Sequence, residues 1–150
     1  MEYLDTNILV RYLTKDDPGK AARAYALLQE VEQGERIVAM TEAVFAEVVF
    51  VLSSKRLYHI PRAEIVQRFL PVVMLKGLRM GCKPSEKQIY TDALYLYETT
   101  PLDIADVLTV ARMRYEGVQT VISFDTDFDR FPDITRKEPG EPSREEGRAA

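Results

Sequence analysis

At 150 residues the chain is the size of one domain, and 46% hydrophobic with 29% charged residues excludes a wholly disordered polymer. A formal net charge of −4 excludes a general attraction to nucleic acid, so any such contact must come from local clustering of cations. A lone cysteine (Cys82) and a lone histidine (His59) exclude an intramolecular disulfide and a Cys/His zinc site, and without a membrane-length apolar run or a signal-peptide pattern the expected location is the cytoplasm, with no membrane partner.

Tyr3 and Leu4 form a short apolar run, and Ile8, Leu9, Tyr12 and Leu13 then repeat at helical spacing. Asp5-Thr6-Asn7 therefore falls at a strand-to-helix joint. All three residue types cap helix N-termini, but an acid at the carboxyl end of a strand also stands where open α/β sheets collect functional groups. The turn Thr14-Lys15-Asp16-Asp17-Pro18-Gly19 leads into a second helix that offers Ala22, Tyr25, Ala26, Leu28 and Val31 for packing and ends at Gly34. Ile37-Val38-Ala39-Met40 reads as a buried parallel strand. A third helix follows from Thr41 to about Arg56, before Tyr58-His59-Ile60-Pro61 forces a turn.

A fourth helix starts at Pro61, repeats Ile65, Phe69 and Leu70, and is expected to kink or end at Pro71. Leu78 to Cys82 is read as a third strand, and Ser85 as the cap of a fifth helix closed by Thr99-Thr100-Pro101. Asp103 to Tyr115 is a sixth helix stopped by Gly117. Val118 to Phe124 is the last strand, and Asp125 to Pro132 a loop or single turn. Residues 1–135 are expected to form the folded domain and 136–150 a mobile polar tail. Strands alternating with helices imply an α/β fold with a parallel sheet covered on both faces.

Acids stand out at the joints. Glu47 has Ala43, Val44, Phe50 and Val51 as its helical neighbours, so it reads as a carboxylate embedded in an apolar face with no cation at helical spacing. Asp103 and Asp106 lie three apart at the start of the sixth helix, where Asp103 suits a cap and Asp106, one turn inside, a ligand. Asp125 follows an apolar strand just as Asp5 does, with Asp127 and Asp129 in the same loop. If the two strands are neighbours in one parallel sheet, their terminal acids converge. Converging carboxylates favour hard divalent cations such as Mg²⁺ or Mn²⁺, and the chemistry they suit is phosphodiester hydrolysis by activated water.

The order and context of these acids resemble the PIN-domain family, especially its small VapC-like ribonuclease toxins. The resemblance runs over about residues 2 to 132 and rests on Leu4-Asp5-Thr6-Asn7, Phe45-Ala46-Glu47-Val48, Ala105-Asp106-Val107-Leu108 and Ser123-Phe124-Asp125-Thr126-Asp127-Phe128. It implies a three-layer α/β/α sandwich around a short, mostly parallel sheet. It also implies an Mg²⁺ or Mn²⁺ site formed by Asp5, Glu47, Asp106 and Asp125, organised by Thr6, Asn7 and Ser123; Asp103, a cap beside Asp106, and Asp127, at the rim of the Asp125 loop, stand in support by their position alone. The implied activity is endonucleolytic cleavage of RNA leaving a 5′-phosphate and a 3′-hydroxyl. A homodimer and a cognate antitoxin partner are implied as well, to which the residues themselves add only the apolar stretch from Val44 to Val73. Val107 departs from the alanine often found after the family's third acid.

Cations available to guide an RNA strand are Arg11, Lys15, Lys55, Arg56, Arg112 and Arg130, each of which also suits a solvated surface. The rival readings are a PIN-like module that binds RNA or protein without cutting, and another Mg²⁺-dependent α/β phosphohydrolase. The first is disfavoured by acids at all four ligand positions. A dehalogenase-like phosphatase would need a second aspartate two residues after Asp5, and a receiver domain a lysine after a late strand; neither is present.

Overall fold

Single strands are separated by pairs of helices up to β4, and β5 follows it: β1 (Glu2–Tyr3), α1 (Thr6–Thr14), α2 (Pro18–Gln33), β2 (Val38–Ala39), α3 (Glu42–Ser53), α4 (Arg62–Val73), β3 (Leu78–Arg79), α5 (Lys87–Thr99), α6 (Ile104–Glu116), β4 (Thr120–Ile122) and β5 (Thr135–Lys137). The computed structural model describes residues 1–140. These form two compact units, one spanning Met1–Ala111 and one beginning at Arg112, with the division falling inside α6.

In the first unit β1, β2 and β3 make a parallel sheet in that order, pairing Glu2 with Val38, Tyr3 with Ala39 and Val38 with Leu78. Parallel strands need long crossovers, and the helices between them supply these. Leu4 N–H donates to the Ala39 carbonyl at 2.8 Å, which carries the pairing to the residue before Asp5. The entry into β3 passes a tight spot at Gly77, where a Cβ would stand 2.2 Å from the Arg36 carbonyl oxygen and 2.8 Å from that of Val31. Only glycine leaves room for that approach. Asp17 caps α2 with Pro18 in the first turn, and Gly34 closes the helix at φ 78°.

Which side of each helix is buried differs from the sequence reading in two places. On α2 the packed residues are Ala24, Leu28 and Val31, whereas Ala22, Tyr25 and Ala26 are exposed. On α3 the buried stripe is Phe45, Val48, Val49 and Leu52, and Glu47 is exposed with Ala43 and Phe50. The apolar surroundings expected for Glu47 are therefore the helix's outward side. Alanine is compatible with either face of α2, and α3 is apolar almost all round, so periodicity does not choose the inward direction in either helix. Pro71 does not end α4, which runs two residues further to Val73. Ser85 lies inside a short 3-10 turn, Pro84–Glu86, that precedes α5.

The second unit contains a smaller parallel pair, β4 with β5, in which Thr120 faces Thr135 and Ile122 faces Lys137. Within the sheets described, β1 pairs only with β2 and β4 only with β5. The strand before Asp5 and the strand before Asp125 thus belong to different sheets among the described residues. Ile122 and Phe124, expected to be covered in that strand, are 65% and 73% exposed. The expected polar tail also starts too early, because Arg136 and Lys137 are part of β5; residues 141–150 lie outside the described residues.

Phe45 is fully buried, its ring stacked on Phe69 at 5.3 Å and edge-on to Tyr90 at 5.2 Å, which fixes α3 against α4 and α5. Replacing it leaves a cavity under the helix that carries Glu47. Phe45→Ala is expected to destabilise the chain by about 3–5 kcal/mol, read as a lower urea midpoint at unchanged slope.

Candidate active site

The backbone leaves β1 at Leu4 and turns directly into α1, and Asp5 is the N-cap of that helix: its Oδ1 accepts the Thr6 N–H at 2.9 Å. The capping role and a site role are compatible, because only one carboxylate oxygen is used. Asp5 and Asn7 are exposed, while Thr6 points inward and is the one buried non-aromatic polar side chain among the described residues. A buried hydroxyl requires a partner. Thr6 Oγ1 donates to Glu47 Oε2 at 2.9 Å, a contact between residues 41 apart in sequence. The hydrogen bond joins the first turn of α1 to the middle of α3 and orients the Glu47 carboxylate beside the residue that follows Asp5. Neither Asp5 nor Glu47 has a basic partner among the described residues.

Two further predicted residues belong to the start of α6. The Asp103 carbonyl accepts the N–H groups of Asp106 and Val107, both at 3.1 Å, so Asp103 occupies the capping position and Asp106, half-buried, the first turn. Asp103 also lines a cavity of about 700 Å³ with Phe50, His59 and Arg62. Sequence reasoning missed Arg62. Its guanidinium donates to the carbonyls of Leu102 at 2.6 Å, Pro101 at 3.2 Å, Tyr97 at 3.3 Å and Thr100 at 3.4 Å, and lies 4.1 Å from the centre of the Tyr97 ring. One side chain thus ties down the turn that leads into Asp103 and Asp106; no sequence pattern marks such a clasp.

In the second unit Asp125 repeats the arrangement of Asp5 on a smaller scale. It caps the 3-10 turn Thr126–Arg130 through Oδ1, which accepts the Asp127 N–H at 2.9 Å, while Ser123 Oγ accepts the Asp125 N–H at 2.9 Å. Arg136 donates to the Ser123 carbonyl at 3.1 Å and pairs with Asp129 at 3.0 Å, which braces the loop from its far side. Asp125 and Asp127 are exposed and have no basic partner among the described residues.

The donor set has the chemistry of a hard-cation site, being made of carboxylate and hydroxyl oxygens. Its fit is partial. Among the described residues no three His, Cys, Asp or Glu side chains gather closely enough to share an ion. The structure brings together Asp5, Thr6 and Glu47 in the first unit, and Ser123, Asp125 and Asp127 in the second.

A family model described as "PIN domain" matches residues 3–134. The chain belongs to the PIN-domain family. Its α/β build with short parallel strands is the fold expected of that membership. No curated protein matches this PIN domain. A solved structure similar to it is that of Mycobacterium tuberculosis VapC20, described as a sarcin-ricin loop cleaving toxin, at 20% identity over 89% of this chain and 98% of that one, with a TM-score of 0.36.

The cations expected to meet RNA fall into two groups. Arg11 is engaged with Asp16 at 2.8 Å and Arg112 with Glu116 at 3.6 Å. Lys15 closes α1 in a left-handed conformation at φ 57°, and Lys15, Lys55, Arg56 and Arg130 are exposed without ion pairs among the described residues. Asp16 accepts from Tyr58 as well, at 2.6 Å, and its carboxyl is lowered to about 2, first by the Tyr58 hydroxyl and then by Arg11. A carboxyl held below its unfolded value adds stability that is complete above that value and lost as pH falls through the folded one. Asp16→Asn is therefore expected to lower Tm by a few degrees at neutral pH, discounted for its exposure, and the gap should close as pH falls from about 4 towards 2. Thermal melts at stepped pH check this.

Proposed function

We propose that this PIN domain is an endoribonuclease dependent on Mg²⁺ or Mn²⁺, acting as the toxin of a VapC-like toxin–antitoxin pair. The observation that carries the reading is the Thr6–Glu47 hydrogen bond, which sets Glu47 beside the Asp5 cap with both carboxylates free of cationic partners. Glu47, oriented by the Thr6 hydroxyl, and Asp5, oriented by its cap contact, would each have one carboxylate oxygen left for a cation.

Asp5 would offer Oδ2 and Glu47 Oε1, the oxygens left over from the helix cap and from Thr6. The motif resemblance alone names Asp106 and Asp125 as further candidate ligands. When bound, the cation supplies Lewis-acid activation of water and neutralisation of the scissile phosphate. The chain's own part is to orient the carboxylates. Thr6 fixes one Glu47 oxygen, the Thr6 N–H fixes one Asp5 oxygen, and the Ser123 hydroxyl holds the backbone at Asp125. Asn7, exposed in the first turn of α1, is available to position substrate or water. The products would be a 5′-phosphate and a 3′-hydroxyl.

A cognate antitoxin and a homodimer belong to the same proposal. Among the described residues no helix is long and apolar enough to cross a membrane.

Purified full-length chain is expected to cleave RNA in the presence of Mg²⁺ or Mn²⁺ and to stop when the ion is chelated. Asp5→Asn keeps an oxygen for the helix cap but removes the charge, so cleavage should be abolished while the circular dichroism spectrum is retained. An equally active Asp5→Asn chain overturns the assignment. Thr6→Val removes only the hydroxyl that orients Glu47, and a loss of about 10–100-fold in cleavage rate is expected from it. Gel assays of labelled RNA at several Mn²⁺ concentrations read both variants.

A further inference from the structure

A groove of about 420 Å³ runs between α1 and α2, lined by Arg11, Lys20, Arg23 and Arg36 together with Asn7. None of its lining residues is acidic. Lys20 and Arg23 share one face of α2 at helical spacing, and Asn7 and Arg11 share one face of α1. In a chain of net charge −4, four cations converging on one groove are a local concentration that composition hides.

Their present partners are weak. Lys20 stands 4.0 Å from Asp17, and Arg36 is shared between Glu2 at 3.6 Å and Glu30 at 3.2 Å. Arg11 is bound more firmly to Asp16, and Arg23 is exposed with no ion pair among the described residues. Exposed pairs of this kind yield readily to a multivalent anion, and guanidinium groups match phosphate oxygens in a fork geometry. Asn7 belongs both to the groove and to the Asp5-Thr6-Asn7 turn, so the groove opens beside the Asp5 cap.

We propose that the α1–α2 groove is a track for the sugar–phosphate backbone of single-stranded RNA, with Lys20, Arg23 and Arg36 as positioning residues for the strand that approaches Asp5. The proposal rests on the nuclease reading for the identity of the strand as substrate, but its test does not depend on cleavage. More cations line the groove than one phosphate needs, which favours a strand over a mononucleotide.

The test is binding of a 5′-labelled single-stranded RNA to the full-length chain in chelator, followed by fluorescence anisotropy between about 50 and 200 mM salt. Lys20 and Arg23 are exposed, so the double variant Lys20→Ala with Arg23→Ala should fold as the unaltered chain does. Each phosphate contact on a single strand contributes about 0.7 to the slope of log affinity against log salt, so the double variant should lose about 1.4. A slope reduced by less than one contact, or an unaltered chain that binds no RNA, overturns the proposal. Displacement of the RNA by polyglutamate of equal charge at equal concentration also overturns it, by showing a site for acidic protein. A chain that binds RNA with the expected loss of slope but never cuts leaves the groove standing and removes the nuclease reading. One that cuts with its slope unmoved does the reverse.

Discussion

The hydrogen bond from the Thr6 hydroxyl to Glu47 is the contact on which the candidate site depends. Thr6 is buried because it sits where β1 gives way to α1, and a buried hydroxyl without a partner would be costly. Its partner comes from α3, the helix that follows the neighbouring strand β2. The contact therefore exists only because β1 and β2 run parallel in the register that sets Tyr3 opposite Ala39. Thr41 caps α3 by accepting the Val44 N–H at 3.1 Å, which starts the helix directly after β2 and brings Glu47 within reach.

The same economy recurs in the use of acids as caps. Asp5 and Asp125 each use one oxygen to satisfy a backbone N–H at a helical start and leave the other uncommitted. Capping holds the side chain still without neutralising it, which is what a charged site needs. Elsewhere arginines act as clasps. Arg114 pairs with Asp133 through two hydrogen bonds, of 2.8 and 2.9 Å, and lies over Phe131, while Arg62 and Arg136 bind carbonyl groups of turns. Arg11, Arg23 and Arg36 instead line the α1–α2 groove.

Much of the architecture was legible from local pattern. The joint at Asp5, the start of α3 near Thr41, the stop at Gly34, the strand at Val38–Ala39 and the helical start before Asp106 carry short-range signals and lie where the residues indicate, while α2 begins at Pro18, inside the segment read as a turn. The direction in which helices face was less legible. Glu47 has apolar neighbours at every helical spacing, yet it lies on the outward side of α3, because a helix apolar all round gives no moment to orient it. Arg136 looked like the first residue of a polar tail and is a strand residue, held by Asp129 and by pairing with Val121. A polar sequence can form a strand when its neighbour supplies the ladder.

What the sequence by itself determined is the set of chemical groups and their local setting: acids at strand ends and helix starts, next to hydroxyl and amide side chains, in an order that resembles the PIN family. These follow from capping and turn chemistry, which act over three or four residues. Tertiary structure alone decided which of these groups meet. The pairing of Thr6 with Glu47, the clasp of Arg62 on the turn before Asp103 and the meeting of Arg11 on α1 with Arg23 on α2 and with Arg36 all join residues whose separation along the chain carries no periodic signal. They arise from sheet register and helix packing, which depend on the whole fold rather than on any one segment.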